Sequence, residues 1–235
     1  RVHMEACTSE GSWGGGPQDL KASADRVFWE GGNHMVWHTW THNAPEAGQP
    51  GWAYYAGTHL NRNVTWWGKA RPFMEYLARA SFLLQRGHFV ADVLYYYGDQ
   101  GFNFVGPRRH DPALGPGFDY DVTNADVILN RLTVRNGRLV LPDGMSYSVL
   151  VLPDREDINP AVLARLETLV SEGAIVVGPK PRRASGLEGY PASDGRVRDL
   201  AERLWGDLDG RARQARTHGK GKVIWGRPLN QVLRE

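Results

Sequence analysis

The sequence has 235 residues, 41% of them hydrophobic and 23% charged, which excludes a disordered or collagen-like chain and suffices for one large core or two modest ones. Lys and Arg number 28 against 26 Asp and Glu, a formal charge of +2, too balanced for a nucleic-acid footprint. No apolar run approaches the ~18 residues of a membrane span, so neither nucleic acid nor membrane is expected as a partner. The single cysteine, Cys7, permits no internal disulfide, and Arg1 is not followed by the charged and then apolar pattern of a secretory leader.

In chain order, Arg1 to Cys7 reads as a short strand leading into a Gly/Ser loop that ends at Pro17. Asp19 to Trp29 is predicted as a helix, with Leu20, Ala24, Val27 and Phe28 on one face and Gly31-Gly32 behind it. His34 to Trp40 is β-rich and uninterrupted, like a buried parallel strand. Thr41 to Trp67 is a long loop. Lys69 to Gln85 is predicted as a second helix, with Phe73, Tyr76, Leu77, Ala80 and Leu84 on its apolar stripe and Gly87 at its end.

Phe89 to Tyr97 begins another series. After a Gly/Pro-rich loop from Gly98 to Gly117, Thr123 to Arg131 looks helical, capped by Thr123 or Asn124. Arg138 to Leu141 and Ser148 to Leu152 read as strands around the turn Pro142-Asp143-Gly144. Asn159-Pro160 opens a helix that runs to Glu172. A strand at Ala174 to Val177, a helix at Arg196 to Trp205 and a strand at Lys222 to Trp225 complete the series. The β/α rhythm predicts a parallel sheet, and the second region reads as a small open α/β sheet, flavodoxin-like in outline.

Seven of the nine Trp (Trp13, Trp29, Trp37, Trp40, Trp52, Trp66, Trp67) and five of the eight His lie in the first 67 residues, beside only four basic residues. Flat rings among short polar groups suit a pocket for a neutral, polyhydroxylated ligand; an aromatic core with polar edges is the alternative. Glu5, near the carboxyl end of the first strand, stands where α/β folds place their chemistry and is the better candidate for a general base or nucleophile; a salt bridge is the bland alternative. The alternation His38-Thr39-Trp40-Thr41-His42 puts His38, Trp40 and His42 on one strand face. Hydrogen bonding to sugar hydroxyls fits these histidines better than a metal, for which no third ligand stands alongside.

The runs Glu5-Ala6-Cys7-Thr8-Ser9-Glu10, Glu30-Gly31-Gly32-Asn33, His38-Thr39-Trp40-Thr41-His42-Asn43 and Gly57-Thr58-His59-Leu60-Asn61-Arg62-Asn63-Val64-Thr65-Trp66-Trp67 resemble glycoside hydrolase family 106, the α-L-rhamnosidases, as do Val90 to Tyr95, Asp119 to Asp121, Leu139 to Tyr147 and Val177 to Pro181. The resemblance implies a much larger enzyme with an eight-stranded β/α barrel, of which residues 1–86 would be the last two β/α units and residues 87–235 an adjoining flavodoxin-like (glutamine-amidotransferase-like) accessory domain. It implies an inverting mechanism with two glutamates, Glu5 serving as general base and the general acid coming from outside these residues. It also implies a sugar site drawing on Glu10, Asn33, His38, Trp40, His42, Asn61, Arg62 and Trp66. The implied partners are a rhamnose-containing carbohydrate and the remainder of the barrel. No cofactor is expected on these residues, and calcium is expected only in the full-length family enzyme, with no ligand assignable here. Cys7 stands where an aromatic residue is more usual in the family. A non-catalytic carbohydrate-binding or structural α/β module is the competing reading.

Overall fold

The computed structural model describes residues 1–8, 13–57, 59–99, 101 and 114–235. The chain is a mixed α/β protein with a parallel sheet, divided into two compact units, Arg1–Gly87 and His88–Glu235.

In the first unit, β1 (His3–Ala6) leads to α1 (Pro17–Trp29), and β2 (His34–Trp37) leads through a long irregular segment to α2 (Arg71–Leu84). β1 and β2 pair in parallel, His3 opposite His34 and Glu5 opposite Val36. One face of this ladder is apolar: Ala6 is buried, and Met35 and Trp37 pack against a core of Leu20, Ala24, Leu60, Phe73 and Leu77. The other face carries His3, Glu5 and Val36, all exposed.

β2 is shorter than the uninterrupted β-rich run predicts. His38 N still donates to Ala6 O at 2.9 Å, but Cys7 then adopts φ 67° and β1 turns away. With no partner strand beyond Ala6, the run cannot continue to Trp40, and the expected sharing of one face by His38, Trp40 and His42 is lost. The far end of α2 also differs from its stripe. Phe73 and Leu77 are buried, while Leu84 is 48% exposed because the last buried residue of α2, Leu77, lies about two turns earlier.

The second unit contains β3 (Val93–Tyr96), β4 (Tyr120–Thr123), α3 (Ala125–Asn130), β5 (Thr133–Arg135), β6 (Arg138–Val140), β7 (Ser146–Tyr147), β8 (Val149–Val151), β9 (Asp157–Ile158), α4 (Pro160–Glu172), β10 (Ile175–Val177), β11 (Arg183–Ala184), α5 (Ala192–Trp205), β12 (Ala215–His218), β13 (Gly221–Ile224) and α6 (Leu229–Val232). Its main sheet has the order β12-β13-β10-β8-β3-β4, parallel except for β12 at one edge. Both faces of this sheet are buried. Leu94, Tyr96, Leu150, Val176 and Val223 join α4 and α5 in one core, while Val93, Val149, Val177 and Ile224 join α6 in the other. Two-sided burial explains why β8 and β10 read as unbroken apolar runs instead of alternating.

Local signals set several boundaries. The Asn159 side chain accepts from Ala161 N at 2.8 Å and opens α4 ahead of Pro160, a cap of the kind that contributes about 1 kcal/mol. Asn124 rather than Thr123 caps α3, accepting from Val127 N at 3.1 Å; Thr123 is already the last residue of β4. The strand expected from Phe89 begins only at Val93, with Phe89 and Val90 exposed. Most of the loop read at Gly98 to Gly117 lies outside the described residues. Asp99 fastens the end of β3 to the start of α4, taking the Tyr96 hydroxyl at 2.6 Å on one oxygen and Asn159 N at 3.0 Å on the other. Burial, with Asp99 beside it, pushes the Tyr96 phenol well above its ordinary range, so Tyr96 remains a neutral donor.

Candidate active site

Glu5 is the third residue of β1, on the face that α1 and α2 leave open. Alternation places it there: Met4 and Ala6 turn towards the apolar side, so Glu5 must turn away. Its side chain is exposed and its Oε1 accepts the Thr8 hydroxyl at 2.6 Å. A hydrogen bond this short to a carboxylate orients the group by holding one of its oxygens. Sequence reasoning passed over Thr8, whose position three residues after a strand-end Glu was the available signal. Cys7 lies between them, half-buried against the unit's core, where burial pushes its thiol up to about 11. A thiol so disfavoured as thiolate is no nucleophile at neutral pH.

His38 follows β2 directly. Its ring meets Tyr54 edge-on at 5.4 Å, and Gly57 (φ 90°) passes so close that a Cβ there would sit 2.5 Å from His38 O. Glycine at 57 is therefore needed twice, for its backbone angle and for space. His38 Nδ1, Thr39 Oγ1 and Asn61 Nδ2 are buried with no hydrogen-bond partner among the described residues. Thr39 and the segment before Asn61 are joined by Leu60 N donating to Thr39 O at 3.5 Å. Buried polar atoms left unmet cost about 1–3 kcal/mol each, so three in adjoining stretches mark a place that is completed by something polar. Asn61 Oδ1 is already used, accepting from Asn63 N at 2.8 Å.

Of the other expected site residues, Trp40 and Trp66 both border Trp67, the Trp66 ring at 6.3 Å between centroids. Trp40 is 61% exposed, its ring edge-on to Trp67 at 5.4 Å. His42 and Arg62 are exposed. Trp66 is half-buried against the core and its indole N–H donates to Gly15 O at 3.0 Å, a fastening of the loop after β1. Asn33 lies at the amino end of β2, the opposite end from His38, where its side chain accepts from Val2 N at 2.8 Å and its carbonyl from Gln85 at 2.7 Å. Glu10 lies outside the described residues. His59 is buried at 2% exposure against Trp13, ring centroids 4.3 Å apart, and burial holds its imidazole below the ordinary value, in the neutral form. Among the described residues, no three His, Cys, Asp or Glu side chains come together as a donor set for a cation.

Comparison with known proteins places these features in context. The model of the α-L-rhamnosidase family, glycoside hydrolase family 106, matches residues 1–235. A protein of Formosa agariphila named "Putative beta-glucuronidase" is 39% identical over 206 residues, covering 87% of this chain and 17% of its own length. The solved structure of a rhamnosidase from Novosphingobium sp. PP1Y is 30% identical with a TM-score of 0.77, covering 99% of this chain and 22% of that one. The chain thus spans about a fifth of the length of the relatives it matches.

Proposed function

Because the chain belongs to glycoside hydrolase family 106, the α-L-rhamnosidases, we propose that it is part of a larger inverting glycoside hydrolase releasing α-L-rhamnose from plant-type glycans or glycosides, with Glu5 as the general base. The reading is carried by the placement of Glu5: an exposed carboxylate on the uncovered face of a parallel strand pair, oriented by Thr8. Inversion needs a base that takes a proton from water as the water attacks the anomeric carbon. An acid about 6.5–9.5 Å away protonates the departing glycosidic oxygen. The acid is assigned to a segment beyond these 235 residues. His38, Asn61 and Trp40 are the groups we assign to the sugar. The exposed Trp40 indole suits the C–H face of a pyranose.

The first unit supports a piece of a β/α barrel. Each of its two parallel strands precedes a helix in the chain, the helices cover one face, and the face bearing Glu5 is the one that six further strands would enclose. In the second unit the parallel strands, numbered in chain order, run 2-1-3-4-5 across the sheet, which supports the flavodoxin-like reading. On its own the chain holds only the proposed base and is expected to be inactive.

The reading is tested by incubating the parent enzyme with an aryl α-L-rhamnoside and an aryl β-D-glucuronide and following the products by NMR. Rhamnose should appear first as the β-anomer. Release of the α-anomer overturns inversion, hydrolysis of the glucuronide alone overturns the substrate, and binding without turnover leaves a carbohydrate-binding module. Trp40→Ala should raise KM or lower kcat/KM by roughly tenfold while costing only about 0.5–1.5 kcal/mol of stability from the lost contact with Trp67. Unfolding as the main effect, seen by thermal denaturation, would assign Trp40 to a core instead.

A further inference from the structure

Between Thr41 and His59 the chain contains no Leu, Ile, Val or Met, so this segment brings no aliphatic core of its own. It nevertheless carries Trp52, Tyr54 and Tyr55, which are 54%, 44% and 88% exposed. Their backbone is tied down by amides. Asn43 Oδ1 accepts from Trp52 N, Asn63 Nδ2 donates to Pro50 O at 2.8 Å, and Gln49 Nε2 donates to Asn63 Oδ1 at 3.3 Å. Polar side chains thus spend their hydrogen bonds holding the loop, while its rings face solvent.

The chemistry of the segment selects its occupant. From Ala47 to Gly57 there is no Asp, Glu, Lys or Arg, so the stretch that carries the three rings offers a charged ligand no counter-charge of its own. Protein interfaces enrich Met and Arg along with aromatics, and this stretch has neither. Exposed aromatic rings among amides instead match a neutral pyranose, whose C–H face lies on a ring while its hydroxyls reach polar edges. Two of the rings are also continuous with the candidate active site: Tyr54 lies 4.5 Å from Tyr55 and 5.4 Å from His38 between ring centroids.

We propose that Trp52, Tyr54 and Tyr55 form a second carbohydrate-binding site, a stacking platform for a neutral sugar of the glycan that bears the rhamnose, next to the position of His38. The proposal rests on the rhamnosidase reading above for the sugar at His38. It adds that this chain selects extended, neutral glycans over small aryl glycosides.

The test uses Trp52→Ala, Tyr55→Ala and their combination; Tyr54 is left intact because it touches His38. In the parent enzyme, kcat/KM is measured on an aryl α-L-rhamnoside and on a neutral rhamnose-terminated oligosaccharide. The double variant should lose roughly tenfold or more on the oligosaccharide, mainly through KM, and stay within about twofold of wild type on the aryl rhamnoside. Equal losses on both substrates, or no loss on either, would overturn the platform; the latter is expected if another part of the parent covers these rings. A separate measurement does not depend on turnover. Titration of the oligosaccharide into the 235-residue chain should quench Trp fluorescence in the wild type and not in the double variant. If the parent fails on every rhamnoside but this binding difference holds, the rhamnosidase reading falls and the platform stands; if neither variant nor wild type binds, the platform falls.

Discussion

Glu5→Gln in the parent enzyme is expected to lower kcat by about 10²–10⁴-fold with the fold retained, the range a positioned general base contributes and equivalent to roughly 2.7–5.4 kcal/mol of barrier. The substitution is nearly isosteric and Glu5 is exposed, so no buried contact is lost. The amide can still accept the Thr8 hydroxyl but cannot take a proton from water. Glu5→Ala provides the readout that a merely structural residue would not move. It opens space beside the anomeric carbon, where azide can replace the activated water, attack the carbon and expel the aglycone as the acid protonates it. Recovery of turnover with azide, giving the β-configured glycosyl azide, is the expected result. Near wild-type kcat in Glu5→Gln removes the residue from the mechanism.

Elements whose signal is local were legible in the sequence. α4 announces itself by Asn159-Pro160 in front and Gly173 behind, and the structure spans Pro160–Glu172. α1 and α2 follow from apolar spacing. β8 and β10 follow from apolar runs that only a sheet buried on both faces requires. The misses include β5 and β12, the first arms of tight hairpins with β6 and β13, and elements whose existence depends on a partner far along the chain. β4 contains Asp121 and exposed Val122, a pattern that becomes a strand only because β3 pairs with it. β9 and β11 are two residues each and exist only as each other's partner. β2 erred in the other direction, since β-propensity continues to Trp40 while the hydrogen-bonding partner stops at Ala6.

The placement of the candidate site residues was legible to the same extent, on the strand more than in the loops. Glu5 follows from alternation on β1, a two-residue period that needs no tertiary knowledge. The His38-Trp40-His42 alternation applied the same period beyond the strand's end, where it has no force. Asn33 and Trp66 illustrate the second limit. A polar side chain poised for a sugar and one that ties down a backbone look alike in sequence, and only the structure shows that Asn33 and Trp66 tie down Val2 N and Gly15 O. The exposure of Trp52, Tyr54 and Tyr55 could not be read from residue type at all, because aromatic rings are more often buried than presented.

Trp205→Ala should produce the largest loss of stability of any single truncation in the second unit. Trp205 ends α5, has no exposed surface, and packs in the core shared by α4, α5 and the sheet. Its indole N–H donates to Gly178 O at 3.1 Å, immediately after β10. That site is already tight, because a Cβ on Gly178 would sit 2.6 Å from Leu152 Cβ, so the backbone there has little room to relax into a cavity. Truncating a buried Trp costs about 3–5 kcal/mol, the upper end applying where neighbours cannot collapse. For a unit of this size that is a fall of roughly 10 °C or more in the midpoint of thermal unfolding. Trp205→Phe separates the two contributions: it keeps most of the ring but leaves Gly178 O unmet, at about 1–3 kcal/mol. Near-UV circular dichroism of the 235-residue chain, with hydrogen exchange resolving the amides of β10 and α5, should rank the proteins wild type, Trp205→Phe, Trp205→Ala. Equal stability of Phe and Ala variants would show that the hydrogen bond, rather than the ring's volume, is what Trp205 contributes, and a midpoint unchanged in both would remove it from the core.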